Sequence, residues 1–206
     1  VTKLTDHEQT APLAAPEQET KERILQAALV VFGEKGYHPA TMAEIAEAAR
    51  VGKGTLYWHF SSKEDLFYGM IAQLAQEINV KLRSILTTER PFPDLLLVFI
   101  KEFLNSFDHH RDLTQLNMSM TQGLSNELRE KLMLWHEQFL AINTELIELG
   151  LKLGFFRPDL EVKSVVTAFT GILFAFGGRQ CLEENWNQVE TKAVFIKDML
   201  THGIAK

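Results

Sequence analysis

Residues 41–66 read TMAEIAEAARVGKGTLYWHFSSKEDL, from Thr41 to Leu66, and the fold turns on how that stretch divides. Thr41 followed three positions later by Glu44 makes a capping box, which predicts a short helix over residues 42–50. Ile45, Ala46 and Ala49 give that helix its buried side. Gly52 and Gly54 loosen the chain, and a second short helix runs to about Phe60, with Leu56 and Phe60 one turn apart. Ser61 and Ser62 with Glu64 and Asp65 cap a third, much longer helix. Its apolar positions Leu66, Phe67, Met70, Ile71, Leu74, Ile78, Leu82 and Ile85 hold helical spacing for about five turns.

On the upstream side, Ile24, Ala27, Ala28, Val31 and Phe32 form the stripe of an amphipathic helix. Gly36 stands where a left-handed C-terminal cap belongs, and Pro39 blocks helical continuation. Residues 1–16 carry no periodicity and are expected to form a disordered arm. Downstream, Pro91 and Pro93 close the long helix. Further helices are predicted over 93–108, 112–122, 125–153, 160–178 and 187–203, punctuated by Gly123, by Gly154 with Pro158, and by the polar run 183–187. No segment alternates with period two, so no sheet is expected. The predicted fold is all-α: a three-helix N-terminal domain (17–64) joined by the long helix to a helical C-terminal domain (65–206).

Composition narrows the function. The chain has 206 residues, a net charge of −6 and one cysteine, Cys181, which excludes an internal disulfide and a thiolate zinc cluster. No apolar run approaches the roughly 18–20 residues of a membrane span. With no basic-then-apolar leader, a cytoplasmic location is expected. An acidic chain meets nucleic acid only through a local patch. Residues 20–63 offer one: Lys21, Arg23, Lys35, Arg50, Lys53 and Lys63 against Glu22, Glu34, Glu44 and Glu47 give a net of +2.

Two short helices joined by a tight turn behind a third helix make a helix-turn-helix unit. Such a unit needs a small core locking its helices at a steep angle, which Ile45, Ala49, Val51, Leu56 and Phe60 supply. Its second helix keeps a free outer face, flanked by donors that hold phosphate. Lys53, Thr55, Tyr57, Trp58 and His59 are left for that face. The string Gly52-Lys-Gly-Thr-Leu-Tyr-Trp-His-Phe60, with Ser62-Lys-Glu-Asp-Leu66 after it, resembles the tetracycline-repressor (TetR) family of bacterial transcriptional regulators. The likeness is strong over about 45 residues. It implies that Thr41 caps the second helix beside the DNA backbone and that Lys53, Thr55 and Tyr57 touch bases or phosphates. It also implies that His59 and Lys63 hold phosphate. The turn position before Val51 is often small in this family, and here it is Arg50, either a further phosphate donor or a neutral surface change. Trp58 either faces DNA or packs on the first helix.

The C-terminal half is rich in large apolar side chains. One by one they read as core, but together they suffice for an apolar pocket between helices. Ile78, Leu82, Phe99, Phe103, Phe107, Leu116, Met120, Trp135, Phe139, Phe169 and Leu173 are the candidate lining, with Met118, Ile142 and Phe174 nearby. Asn117, Gln138 and Asn143 are candidate ligand partners. A ligand between Ile78, Phe103, Trp135 and Phe139 is expected to tilt the long helix. The small residues Ala168, Gly171, Ala175 and Gly178, with Phe195 and Met199 on the last helix, are the expected homodimer contact; the family pairs these two helices across a two-fold axis. Asp108, His109, His110 and Asp112 read as a solvated helix end, and Cys181 as a core or interface thiol. No nucleophile elbow, phosphate loop or metal-binding histidine pair is present, so neither enzyme activity nor a cofactor is expected. The expected function is a regulator, of the repressing kind, that binds a palindromic operator as a homodimer and is released by a hydrophobic small molecule. The alternative is a helical binding protein or enzyme without DNA function.

Overall fold

The computed structural model describes residues 16–109, 111, 125–182 and 188–204. The expected arm, the predicted helix over 112–122 and the linker 183–187 lie outside the described residues, as do the side chains of Asp108, His109 and Cys181. The described residues form eight helices and no strand. They are α1 (Pro16–Lys35), α2 (Met42–Ala48), α3 (Lys53–His59), α4 (Lys63–Leu86), α5 (Phe92–His109), α6 (Asn126–Lys152), α7 (Val162–Leu182) and α8 (Val189–Ile204).

The local signals explain the boundaries. At the end of α1, Gly36 takes φ +81 and its N–H reaches the Phe32 carbonyl at 2.8 Å. The Thr41 hydroxyl accepts from the Glu44 N–H, and the Glu44 carboxylate accepts from the Thr41 N–H, completing the capping box. Ser62 caps α4 by accepting from Asp65 N–H at 3.0 Å. After α6, Gly154 takes φ +71 and Phe155 N–H returns to the Gly150 carbonyl at 2.9 Å. A Cβ on Gly150 would lie 2.5 Å from Phe156 and 2.6 Å from Phe92, so only glycine admits these two rings. Pro93 sits inside the first turn of α5, where its missing N–H costs nothing.

Two clusters of buried side chains organise the chain. The first joins α1–α3 to the start of α4 through Ile24, Phe32, Ile45, Leu56, Phe60, Phe67 and Ile71. The second holds the rest of α4 and α5–α8 around Leu82, Phe99, Phe103, Phe139, Phe169 and Ile196. Leu74 packs against both, so α4 is common to the two. In the second body α5 packs on α7 and α8, α4 on α5 and α6, and α6 on α7.

Candidate nucleic-acid interface and effector site

Helix α3 is fixed by its inner side. Leu56 is fully buried and Phe60 nearly so, while Lys53, Gly54, Thr55, Tyr57 and Trp58 are exposed. Tyr57 and Trp58 leave 52% and 66% of their surfaces in solvent, an unusual burden for a seven-residue helix unless that surface meets a partner. Trp58 is turned to solvent and not packed into the core beneath the first helix; its ring stands edge-on to His59 at 4.7 Å. His59 itself is half-buried.

The flanking residues differ in how free they are. Thr41 is exposed, yet its hydroxyl is engaged with Glu44 in both directions. Glu44 also meets Lys35 at 2.7 Å. The Lys35 ammonium, then the Thr41 hydroxyl and N–H, hold the Glu44 carboxyl down at about 2. Arg50 is exposed and has φ +55, the one non-glycine with positive φ among the described residues. Its side chain lines a groove of about 610 Å³ shared with Arg23, Ala27 and Val30 of α1.

Lys63 departs from the role implied by the resemblance. Its Nζ donates to the carbonyls of Tyr37 (2.8 Å), His38 (3.0 Å) and Ala40 (2.9 Å), using all three ammonium protons. It also lies 4.6 Å from the centroid of the Tyr37 ring. The ammonium therefore ties the α1–α2 loop to the start of α4 and has no proton left for a phosphate. Burial, and secondarily the Glu64 carboxylate, push the Tyr37 phenol up to about 12.

In the C-terminal body, Ile78, Leu82, Phe99, Phe103, Phe139, Phe169 and Leu173 are brought together as expected, but as packed core. Phe103 and Phe139 stack with centroids 4.7 Å apart, which leaves no space for a ligand between them. Phe174 closes this group, touching Phe103, Phe107, Phe139 and His136 at 5.4–6.1 Å. Leu116, Asn117, Met118 and Met120 lie outside the described residues. Gln138 is exposed. On the outer side of Phe174 a groove of about 480 Å³ runs between α6 and α7, lined by His136, Leu140, Thr167, Thr170, Gly171 and Phe174. Beside it Asn143, fully buried, donates through Nδ2 to Thr170 Oγ1 at 3.1 Å while its Oδ1 has no partner among the described residues. Trp135 is half-buried, and its Nε1 is likewise buried without a partner among the described residues. His136, Leu140 and Thr170 escaped sequence reasoning. The Asn143–Thr170 bond joins residues 27 apart, and no local pattern signals it.

Of the expected dimer contact, Ala168, Gly171 and Ala175 are exposed on α7, and Phe195 and Met199 on α8. A Cβ at Gly171 would meet nothing within 4 Å. Gly178 is corrected: it is buried among this chain's own atoms, as is its neighbour Gly177, where a Cβ would strike Phe107 at 2.7 Å.

A capped α2, a recognition helix with an exposed polar and aromatic face, and an all-helical second body define a class: a helix-turn-helix transcriptional regulator. Residues 24–69 match the family model for bacterial regulatory proteins of the tetR family. The chain is 31% identical over 150 residues to the uncharacterized helix-turn-helix-type transcriptional regulator YhgD of Bacillus subtilis, covering 71% of this chain and 77% of that protein. It is 27% identical over 144 residues to the transcriptional repressor KstR2 of Mycobacterium tuberculosis, covering 69% and 72%. The transcriptional regulator FadR from Bacillus subtilis, solved in complex with stearoyl-CoA, has the same fold, with a TM-score of 0.79 at 20% identity over 89% of this chain and 98% of that one. The protein belongs to the tetR family of DNA-binding transcriptional regulators, and the relatives named here are regulators, not enzymes.

Proposed function

We propose that the protein is a homodimeric repressor that binds a palindromic operator and leaves it when a hydrophobic small molecule occupies the C-terminal helices. The observation that carries this reading is the division of α3 into a locked inner side, Leu56, and an open outer side bearing Lys53, Thr55 and Tyr57. In this reading Lys53, Thr55 and Tyr57 contact operator, with His59, Thr41 and Arg50 at its margins. The repressor KstR2 supports the sign of regulation. The exposed small-residue face of α7 with Phe195 and Met199 supports a two-fold pairing that sets two recognition helices about 34 Å apart. The DNA-binding unit ends within α4, where the first buried cluster gives way to the second, and the remaining helices are the ligand-binding and dimerising unit. A cytoplasmic location follows from that role; no described helix is long and apolar enough to cross a membrane.

The effector belongs to the apolar, chain-like class. The groove beside Phe174 gives access to an aromatic core, and the FadR structure with stearoyl-CoA supports an acyl ligand. In this reading the ligand enters from the groove between α6 and α7, beside Phe174. A mobility shift on the duplex upstream of the protein's own coding sequence, with stearoyl-CoA and free stearate as probes, tests both halves. A retarded band lost on adding a probe is expected. No band overturns operator binding, and a band insensitive to both probes overturns the acyl effector.

A further inference from the structure

The first turn of α6 is built into the DNA-binding unit. Ser125 caps α6, accepting from Leu128 N–H at 3.1 Å, while its own hydroxyl donates to Glu64 Oε2 at 2.7 Å. A hydroxyl given to a carboxylate at that length is a strong, charge-assisted bond. Three residues on, Leu128 is 2% exposed and belongs to the N-terminal cluster, whereas the other buried residues of α6, from Phe139 onward, include Ile142, Leu146 and Ile147 of the C-terminal one. Leu132, one turn later, packs against the N-terminal cluster as well. Lys131 adds a third tie, pairing with Glu127 at 2.9 Å and lying 5.4 Å from the Tyr68 ring centroid of α4.

The connection continues inward. Glu64 adjoins Lys63, whose ammonium gathers the carbonyls of Tyr37, His38 and Ala40, and Thr41 follows as the cap of α2. A contiguous set of bonds thus runs from α6 to the helix-turn-helix. The far half of α6 carries Phe139, Leu140 and Asn143, the residues beside the groove and the aromatic core. At 27 residues, α6 is a rod of about 40 Å with one end in each body.

We propose that Ser125, Glu64 and Leu128 are positioning residues: they form a latch that fixes the orientation of the DNA-binding unit against the C-terminal helices. Through it α6 transmits a displacement of its far half to the helix-turn-helix in parallel with α4. The latch goes beyond the repressor reading, and its test needs neither operator nor effector.

Ser125→Asp opens the latch selectively. Aspartate caps a helix as well as serine does, so the bond from Leu128 N–H survives, but a second carboxylate then faces Glu64. Adding Glu64→Gln to Ser125→Asp removes the repulsion and supplies an amide donor to the new carboxylate. In a Cys181→Ser background, spin labels at Thr55→Cys on α3 and Glu148→Cys on α6, both exposed positions, report the distance between the two bodies. Labelled chain is diluted into excess unlabelled chain so that each assembly carries one labelled pair. Dipolar spectroscopy should give one narrow distance for the parent, a broadened or displaced one for Ser125→Asp, and a return to the parent for the double variant, with helicity unchanged in all three. Leu128→Ala, which opens the latch from its apolar side, should broaden the distance too and stands in should Ser125→Asp fail to fold. A distance unaltered by either opening variant, or a double variant as broad as Ser125→Asp, overturns the proposal.

Discussion

Replacing Lys63 by methionine separates two roles that a lysine at the start of α4 can play. The methionine keeps most of the apolar stem and removes the ammonium. Three carbonyls then lose a charged donor, and those of Tyr37 and Ala40 are partly buried, so water restores them incompletely. Net contributions of about 1.5–3 kcal/mol for a charge-assisted bond at a buried site, less at an open one, set the scale. A cation–π contact of about 0.5–1 kcal/mol is lost as well. Since the bonds share one ammonium and His38 O is exposed, the sum is a loss of about 2–4 kcal/mol. For a chain of this length that lowers Tm by about 5–15 °C. The second measurement is fluorescence anisotropy of a random duplex titrated with protein at several salt concentrations. Each phosphate contact contributes about −0.9 to the slope of log K against log salt. Lys63→Met should leave that slope unchanged while the melting temperature falls. An unchanged melting temperature with a slope reduced by about one per subunit refutes the loop-tying role and restores Lys63 to the phosphate interface.

At Gly171 a Cβ meets nothing within 4 Å and the position is exposed, so in Gly171→Leu helical circular dichroism should persist while sedimentation velocity shows monomer; a dimer at micromolar concentration would move the interface elsewhere. Arg50→Gly removes the left-handed strain of a side-chain-bearing residue, about 1–2 kcal/mol, against glycine's greater unfolded freedom of about 0.5–1 kcal/mol. Urea denaturation should show a gain of up to about 1 kcal/mol, and a loss would mean that the Arg50 side chain holds the groove beside α1. The Glu44 carboxyl sits at about 2 when folded against 4.5 as its ordinary value, so its contribution is present above 4.5 and is lost as pH falls toward 2. The stability difference between the parent and Glu44→Gln should therefore shrink across that window, and a difference constant from pH 6 to pH 2 would show that Lys35 and Thr41 do not hold the charge.

What the sequence disclosed was governed by distance along the chain. The capping box at Thr41/Glu44, the Ser62 cap on Asp65 N–H, the left-handed Gly36 and the locked Leu56 are decided within one helical turn, and each is legible in the residues alone. The role of Lys63 depends on carbonyls 23 to 26 residues earlier, which no local pattern encodes. Periodicity marks Phe103 and Phe139 as inward-facing, but it does not distinguish rings that stack from rings that line a cavity. Gly171 and Gly178 share one stripe of α7; which of them the chain itself covers is a tertiary matter. Leu128 keeps the helical spacing of α6 yet serves the other body's core, and only the three-dimensional packing assigns it there. Arg50 stood out as a departure from the family pattern, and the backbone gives the physical content of that departure, a φ of +55 that glycine would adopt freely.

The central claim is that the open side of α3 reads DNA sequence. Its most direct test is fluorescence anisotropy of the duplex upstream of the protein's own coding sequence against a random duplex of equal length, at one salt concentration. The parent should bind the upstream duplex about 1,000-fold or more tightly than the random one. Tyr57→Ala, at an exposed position that leaves Leu56 in place, should lose about tenfold or more on the upstream duplex and little on the random one. Equal affinity of the parent for the two duplexes would contradict the claim, as would a Tyr57→Ala variant that keeps the parent's preference.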